Sequence, residues 1–379
     1  MYSGIRGTLA FLGGFAALSA VTGRLQARQC QATLDTAATV ATQLQTYYVA
    51  STGQYNQGEL WTDSNAVEDL HNLMLAAGTT TWASVGDTSR IGKAAEDPST
   101  NWADIISGSN DDAQWIILAL WKIADYRAAH QQSIDAFMNA AGTIYDIIAA
   151  EYDNTCGGGV WWSSAHTYKN AITNELFLLT SAEGFQRTND QKYLTNANNV
   201  WNWLNTSGMR NSDGLYNDGL DSNTCQNNGQ TTWTYNQGVI ASGLAALYAA
   251  TGSSNTELLD IAEVTLDATI THLTVNNVLK ESCDDATSST CDHDQQIFKG
   301  IWTKHLQYYL DKAADPARTS KYSAFLGAQS SAAFHFGKRA NNDVGSVWYA
   351  PDQGGSIFSP EATTSGMAAF VAAAKYGPC

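Results

Sequence analysis

CGGGVWWSSAHTYKNAITNELFLLTSAEGFQRTNDQKYLTNANNVWNWLNT, residues 156–206, holds the pattern from which the fold is read. A glycine-rich aromatic stretch, Cys156 to Trp162, leads into apolar residues at helical spacing over 168–187. The link Thr188-Asn-Asp190 then turns the chain into a second such segment over 190–206. A long loop, a helix, a short turn and a helix make one helical hairpin.

The same alternation continues in both directions. Gly214-Leu-Tyr-Asn-Asp-Gly219 through Gln230 is another long loop, and Thr251-Gly-Ser-Ser254 another short link. Helical periodicity predicts segments near 31–50, 63–77, 110–129, 132–152, 168–187, 190–206, 233–251, 255–273, 292–313, 317–337 and 361–376, with a twelfth hidden around 82–106. No Pro-rich or Ser-rich linker divides the series, so residues 30–379 read as one domain. Paired helices with long loops at one end and short turns at the other predict an all-α (α/α)6 toroid that carries its functional loops on one face. The longer loops have room for small hairpins, and Gly159-Val-Trp-Trp-Ser163 has strand propensity.

A chain of 379 residues with 44% hydrophobic side chains can bury a large core. Only 15% of the residues are charged, and Lys+Arg 20 against Asp+Glu 36 gives a net charge of −16. Such a field repels polyphosphates and anionic lipid, so nucleic acid is excluded as a partner class. A neutral polymer is not penalised, and the 12 Trp and 17 Tyr suit a carbohydrate.

Arg6 followed by a small-residue apolar run from Thr8 to Val21 has the outline of a secretory signal, expected over residues 1–23 and too short to span a bilayer. The mature chain is expected to be secreted, without a membrane span, and nothing demands more than a monomer. All six cysteines follow this segment and are expected to form disulfides. Fifteen pairings are available. Cys283 and Cys291 flank a Ser/Thr/Asp loop and form the first expected pair, Cys30 and Cys379 would tie the two ends, and Cys156 with Cys225 follows by elimination. No CxxC spacing points to structural zinc, and neither a metal nor another cofactor is expected. Asn205-Thr-Ser207 is a glycosylation sequon.

The residues that could do chemistry begin at Gly108-Ser-Asn-Asp-Asp-Ala-Gln-Trp115, where Asp111 and Asp112 open an apolar helix. Capping and the helix dipole account for acids there. The functional alternative is an acid/base pair, because neighbouring carboxylates resist double ionisation and one keeps its proton nearer neutrality. A magnesium-binding DDxxD motif is disfavoured, since the fifth position is Trp115. Asp292-His-Asp294 with Asp284 and Asp285 suggests a metal-dependent hydrolase, but a solvated loop and helix cap explains that segment more simply. His71, His130, His166 and His305 lie in no triad-like motif. Polar-aromatic clusters recur at predicted helix starts: Trp61 to Asn65, Gly157 to Trp162, Tyr168 to Asn174, Thr232 to Gly238 and Phe298 to Trp302. Each alone reads as packing or capping; their repetition points to a common face.

Asn110-Asp-Asp112, GGGVWW, YKNAITN, WTYNQG and FKGIW, in that order, resemble glycoside hydrolase family 76, the α-1,6-mannanases. The resemblance runs from about Trp61 to the last helix. It implies an (α/α)6 barrel that hydrolyses α-1,6-linked mannose with retention, Asp111 serving as nucleophile and Asp112 as general acid/base. It places Tyr235, Asn236 and Gln237 in the substrate groove, and matches Lys169, Asn170, Asn174 and Lys299 to family patterns. Trp61, Asn65, Asn110, Trp162 and Trp233 complete the expected glycan-binding set, with linear α-1,6-mannan as the partner. Many relatives carry a Trp-rich stretch near the first helix pair, where Leu60-Trp-Thr-Asp-Ser-Asn-Ala66 has a single Trp. A fungal branch of the family resembles transglycosidases acting on the glycolipid-anchor glycan of cell-wall proteins. It ranks second here, because Lys375-Tyr-Gly-Pro-Cys379 is not an apolar anchor signal.

Overall fold

A computed structural model describes residues 29–56 and 58–379. The expected signal segment, 1–23, lies outside the described residues. Fourteen α-helices are found among them. In chain order these are α1 (Gln31–Leu44), α2 (Leu60–Ala77), α3 (Ala83–Thr88), α4 (Arg90–Glu96), α5 (Trp102–Ile106), α6 (Asn110–Ala129), α7 (Asp135–Ala149) and α8 (Ala171–Thr188). They continue as α9 (Gln191–Thr206), α10 (Thr234–Ala250), α11 (Glu257–His272), α12 (Phe298–Ala313), α13 (Pro316–Ala332) and α14 (Pro360–Tyr376).

Six of these close a ring: α2 packs on α6, α6 on α8, α8 on α10, α10 on α12, α12 on α14, and α14 returns to α2. Around it, α7, α9, α11 and α13 each follow an inner helix, while α1 covers α14 and α2. The sixth outer position is taken by α3 to α5, which is where the sequence hid its twelfth helix. Gly86 and Gly92 let two of these short helices touch, for a Cβ on Gly92 would lie 1.8 Å from the Gly86 carbonyl.

Burial separates the two rings. From Pro360 to Ala374 every residue of α14 is buried, as is every residue of α8 from Ala171 to Ala182. Outer helices bury one stripe, such as Phe137, Ala140, Ala141, Ile144, Tyr145 and Ile148 of α7. Side-chain caps set several helix starts: Asn170 for α8, Asp315 with Pro316 for α13, and Ser359 with Pro360 for α14.

The inner ring encloses polar groups as well as apolar ones. Lys304, fully buried, donates to Asn65 Oδ1 (2.8 Å) and Glu68 Oε2 (2.6 Å) and lies 3.1 Å from Asp69 Oδ1. Tyr308 donates to the other oxygen of Glu68 at 2.8 Å. A buried cation is thus matched to acceptors on α2, without which its desolvation would be prohibitive.

Long segments, 45–59, 150–170, 207–233, 273–297 and 333–359, precede inner-helix N-termini, so all lie at one mouth of the barrel. Three two-stranded antiparallel hairpins stand there: β1 (Tyr48–Val49) with β2 (Gln54–Tyr55), β3 (Leu220–Asp221) with β4 (Gln226–Asn227), and β5 (Thr274–Val275) with β6 (Val278–Leu279). Gly159–Ser163 does not form the hairpin its composition suggested. Val160 and Ser163 make isolated bridges to Tyr152 and Ser109, because the backbone of this stretch is claimed by side chains of neighbouring helices. The predicted helix 292–313 starts only at Phe298, since Asp292 and Gln295 bond each other in a turn ahead of it.

Three disulfides join Cys30 to Cys379, Cys156 to Cys225 and Cys283 to Cys291. The first ties the start of α1 to the residues after α14; the others staple loops at the mouth. Asn205 is exposed near the end of α9.

Candidate active site

Asp111 and Asp112 stand in the first turn of α6, where the helix dipole favours negative charge. Their surroundings differ. Asp111 Oδ1 accepts from Ser109 Oγ (2.9 Å) and from the backbone N–H of Asp112 (3.0 Å), while Oδ2 accepts from the Trp162 indole N–H (3.1 Å). Burial raises its pKa, and these three donors oppose that by favouring the ionised form. Asp112 is pushed up to about 8, first by burial and then by the Asp111 charge beside it, with Asp294 and Glu59 adding to the repulsion. Burial thus raises both carboxyls, and the hydrogen-bond donors gathered on Asp111 make the two unequal.

The pair opens into a cavity of about 170 Å³ lined by Glu59, Trp61, Ser109, Asp111, Asp112, Trp115, Trp162, Tyr235, Asp294 and Phe298. Aromatic rings build its walls. Tyr235 stacks on Phe298 with centroids 3.9 Å apart and planes at 6°, and Trp61 packs against both Trp115 (6.0 Å) and Phe298 (6.5 Å). Trp162, 43% exposed, projects its ring at the rim. Among the described residues no Lys, Arg or His lines this cavity.

Of the residues expected at the catalytic and glycan-binding site, Trp61, Asp111, Asp112, Trp162 and Tyr235 meet here. Others stand outside the cavity lining, where their side chains bond the loops and helices behind it. Asn110 donates to the Trp161 carbonyl (2.9 Å), fixing the tryptophan strap to the start of α6. Asn174 accepts from the Val160 N–H (2.7 Å) and donates to the Val160 carbonyl (3.0 Å), pairing with the strap as a neighbouring strand would. Asn170 caps α8. Lys169 donates to Asp153 and to the carbonyls of Thr155 and Gly158. The triple glycine is needed because a Cβ on Gly159 (φ +91°) would sit 2.6 Å from the Trp203 ring. Gln237 repeats the Asn174 device on another loop, bonding the Tyr216 N–H (2.8 Å) and carbonyl (2.9 Å).

Asn65 is turned inward to Lys304 and to the Trp61 carbonyl. Asn236 is fully buried without a hydrogen-bond partner among the described residues, and Trp233 precedes α10 with its ring edge-on to Phe298 at 5.5 Å. Lys299 is fully buried against Asp284 and over the Trp348 ring, where it anchors a loop. That ion pair also bears on the suggested metal cluster. The close-set group there is Cys283, Asp284 and Cys291, whose sulfurs are joined and whose carboxylate is engaged by Lys299.

Glu59, Ser109, Trp115, Asp294 and Phe298 line the cavity but were not assigned to it from the sequence. Ser109, Trp115 and Phe298 lie inside the quoted motifs. Glu59 and Asp294 come from loops whose convergence only the closed ring produces.

A helical barrel with two adjacent carboxylates in an aromatic-walled cavity fits a class, the glycoside hydrolases. The chain belongs to one of their families: the model of glycosyl hydrolase family 76 matches residues 32–375. A Schizosaccharomyces pombe protein provisionally named a mannan endo-1,6-alpha-mannosidase is 24% identical over 326 residues, which are 83% of this chain and 73% of that protein. The mannan endo-1,6-alpha-mannosidase DCW1 of Candida albicans is 26% identical over 213 residues, 52% of this chain and 46% of its own length. The chain thus spans under half of DCW1. Among solved structures, an inactive variant of the α-1,6-mannanase GH76A of Salegentibacter sp. HEL1_6, with two consecutive aspartates changed to asparagine, is in complex with α-1,6-mannotriose. It superposes with a TM-score of 0.74 at 18% identity, covering 90% of this chain and 99% of that one. Dfg5 from Chaetomium thermophilum in complex with glucosamine gives 0.76 at 16% identity, with 93% and 92% covered.

Proposed function

We propose that this glycoside hydrolase cleaves α-1,6-mannosidic bonds by a retaining two-carboxylate mechanism, acting as a secreted monomer of one catalytic domain. The observation that carries the reading is the unequal pair: three donors converge on Asp111, while Asp112 stands under the repulsion of three carboxylates. The neighbouring mannanase adds support, since changing two consecutive aspartates leaves it inactive and in complex with α-1,6-mannotriose.

In the first step an ionised Asp111 oxygen attacks the anomeric carbon. The bond from that carbon to the leaving oxygen breaks, and the Asp112 proton passes to that oxygen. In the second step Asp112 takes a proton from water, whose oxygen displaces Asp111 and releases the mannosyl product with its anomeric configuration retained. Trp162 and Tyr235 offer apolar faces to the sugar rings.

A second reading keeps the first step and lets a sugar hydroxyl intercept the intermediate, making the protein a transglycosidase of anchor glycans. The likeness to Dfg5 in complex with the amino sugar glucosamine favours it. Incubation with linear α-1,6-mannan, following the first product by NMR, tests both. Early α-anomeric oligosaccharides support the hydrolase; early β-anomers overturn retention; products longer than the substrate, formed when an acceptor glycan is added, select transfer.

A further inference from the structure

Asp294 stands just ahead of α12, far from Asp112 in the chain, yet lines the same cavity. Its Oδ1 accepts the Trp61 indole N–H at 3.0 Å. Trp61 is itself fixed between Trp115 and Phe298, so the carboxylate is aimed by a rigid aromatic wall. The loop behind it is fastened three ways: by the Cys283–Cys291 disulfide, by Lys299 on Asp284, and by Gln296, which donates to the Cys291 carbonyl (3.3 Å) and accepts from Ser359 (2.6 Å). So much fixation of an acid that shares its cavity with Glu59, Asp111 and Asp112, with no cation lining it, is costly unless the repulsion is used.

Resting on the two-carboxylate reading above, we propose that Asp294 is a positioning residue for catalysis: held by Trp61, its charge keeps the proton on Asp112 until the leaving oxygen takes it. It acts through the field across the cavity. The groups facing Asp112 are Asp111 on its own helix, Glu59 ahead of α2 and Asp294 ahead of α12. Those facing Asp294 are Glu59, Asp292 and Asp111. His293, next in the chain, is turned to Glu361 at 3.9 Å. Burial and these like charges push Asp294 up to about 6, so it is ionised in the range where Asp112 would lose its proton.

The test is the pH profile of kcat/KM on a defined α-1,6-mannooligosaccharide for the full-length chain and for Asp294→Asn, whose side-chain oxygen still accepts from Trp61. The alkaline limb is expected to move down by about one pH unit, with kcat at pH 5 held within a few-fold; Asp294→Glu, which keeps the charge, restores the limb. Asp294→Ala removes the charge with a smaller side chain, so the limb moves the same way; this variant decides the matter if Asp294→Asn does not fold. A profile lowered evenly at all pH values with its limb unmoved overturns the proposal in favour of a structural role. Asp112→Asn in the same assay separates the two readings: retained activity there removes the acid assignment itself, whereas lost activity with an unmoved Asp294→Asn limb removes this inference alone.

Discussion

Trp162 donates its indole N–H to Asp111 Oδ2 at 3.1 Å, joining the glycine-rich strap to the first turn of α6. One side chain thus does two things: it orients a carboxylate and favours its ionised form, and it offers an exposed ring at the cavity rim. Trp162→Phe keeps most of the ring and removes the donor. A hydrogen bond to a charged group contributes about 1.5–3 kcal/mol. If that stabilisation is realised in the transition state, kcat on α-1,6-mannan falls about ten- to hundredfold with the melting temperature nearly unchanged. Steady-state kinetics beside thermal unfolding checks it.

The acid pair makes a sharper prediction. Asp111→Asn and Asp112→Asn each remove one half of a unit that works only together, so either should lower kcat by at least about a thousandfold. Both should remain folded. Replacing either acid also relieves repulsion between neighbouring carboxylates, so unfolding of the variants should occur at the same temperature or slightly higher. A folded variant with near-normal turnover would remove the proposed roles.

Behind the strap, Asn174 serves the Val160 N–H and carbonyl at once from the interior of α8. Asn174→Leu has similar volume but leaves both backbone groups buried and unpaired, at a cost of about 1–3 kcal/mol for each. Denaturant unfolding should show the loss. Because the displaced backbone leads to Trp162, kcat should fall as well, although Asn174 is buried outside the cavity lining.

That example shows where the sequence could be read and where it could not. The alternation around 156–206 gave the hairpins, since helical spacing and glycine turns are local properties. α6 was delimited at 110–129, as found, because its apolar run is continuous and its acids mark its start. What the sequence leaves open is which polar residues of its motifs reach the cavity. Asn110, Asn174, Gln237 and Lys299 are polar residues in aromatic surroundings, and the sequence offers no way to tell an amide facing sugar from one pairing with a loop backbone. Asp294 is the converse. It reached the cavity because the ring closes, a relation between α2 and α14 that no local pattern encodes.

Inside the barrel, Lys304 is fully buried against Glu68 and Asp69 on α2. Burial and the Lys304 charge pull Asp69 in opposite directions, and burial wins, leaving it at about 7. Lys304→Met removes the cation and abandons these acids in the interior. Breaking a buried pair on one side costs about 3–5 kcal/mol, so this variant should unfold at markedly lower denaturant concentration than the parent, with Glu68→Gln in the Lys304→Met background recovering part of the loss.

The pH dependence of stability follows from the same interior. Asp63, Asp69 and Glu281 stand at about 7, Asp112 at about 8 and Asp294 at about 6, all raised chiefly by burial. A carboxyl with a raised folded-state pKa favours folding while it holds its proton. Its contribution is complete below the unfolded value near 4 and is lost as pH rises through the folded one. His71, lowered to about 4, and His305, also lowered by burial, act oppositely: their contribution is complete above about 6.5 and is lost as pH falls. Between pH 4 and 6.5 the five carboxyls outnumber the two histidines, and above 6.5 only the carboxyls still change. Both intervals therefore have the same sign, and the folded state binds more protons than the unfolded one throughout. The protein should melt at a higher temperature at pH 5 than at pH 8, as a thermal-unfolding series across that range would measure. A melting temperature that rises from pH 5 to pH 8 would mean that these buried carboxyls are ionised in the folded chain, and with them Asp112.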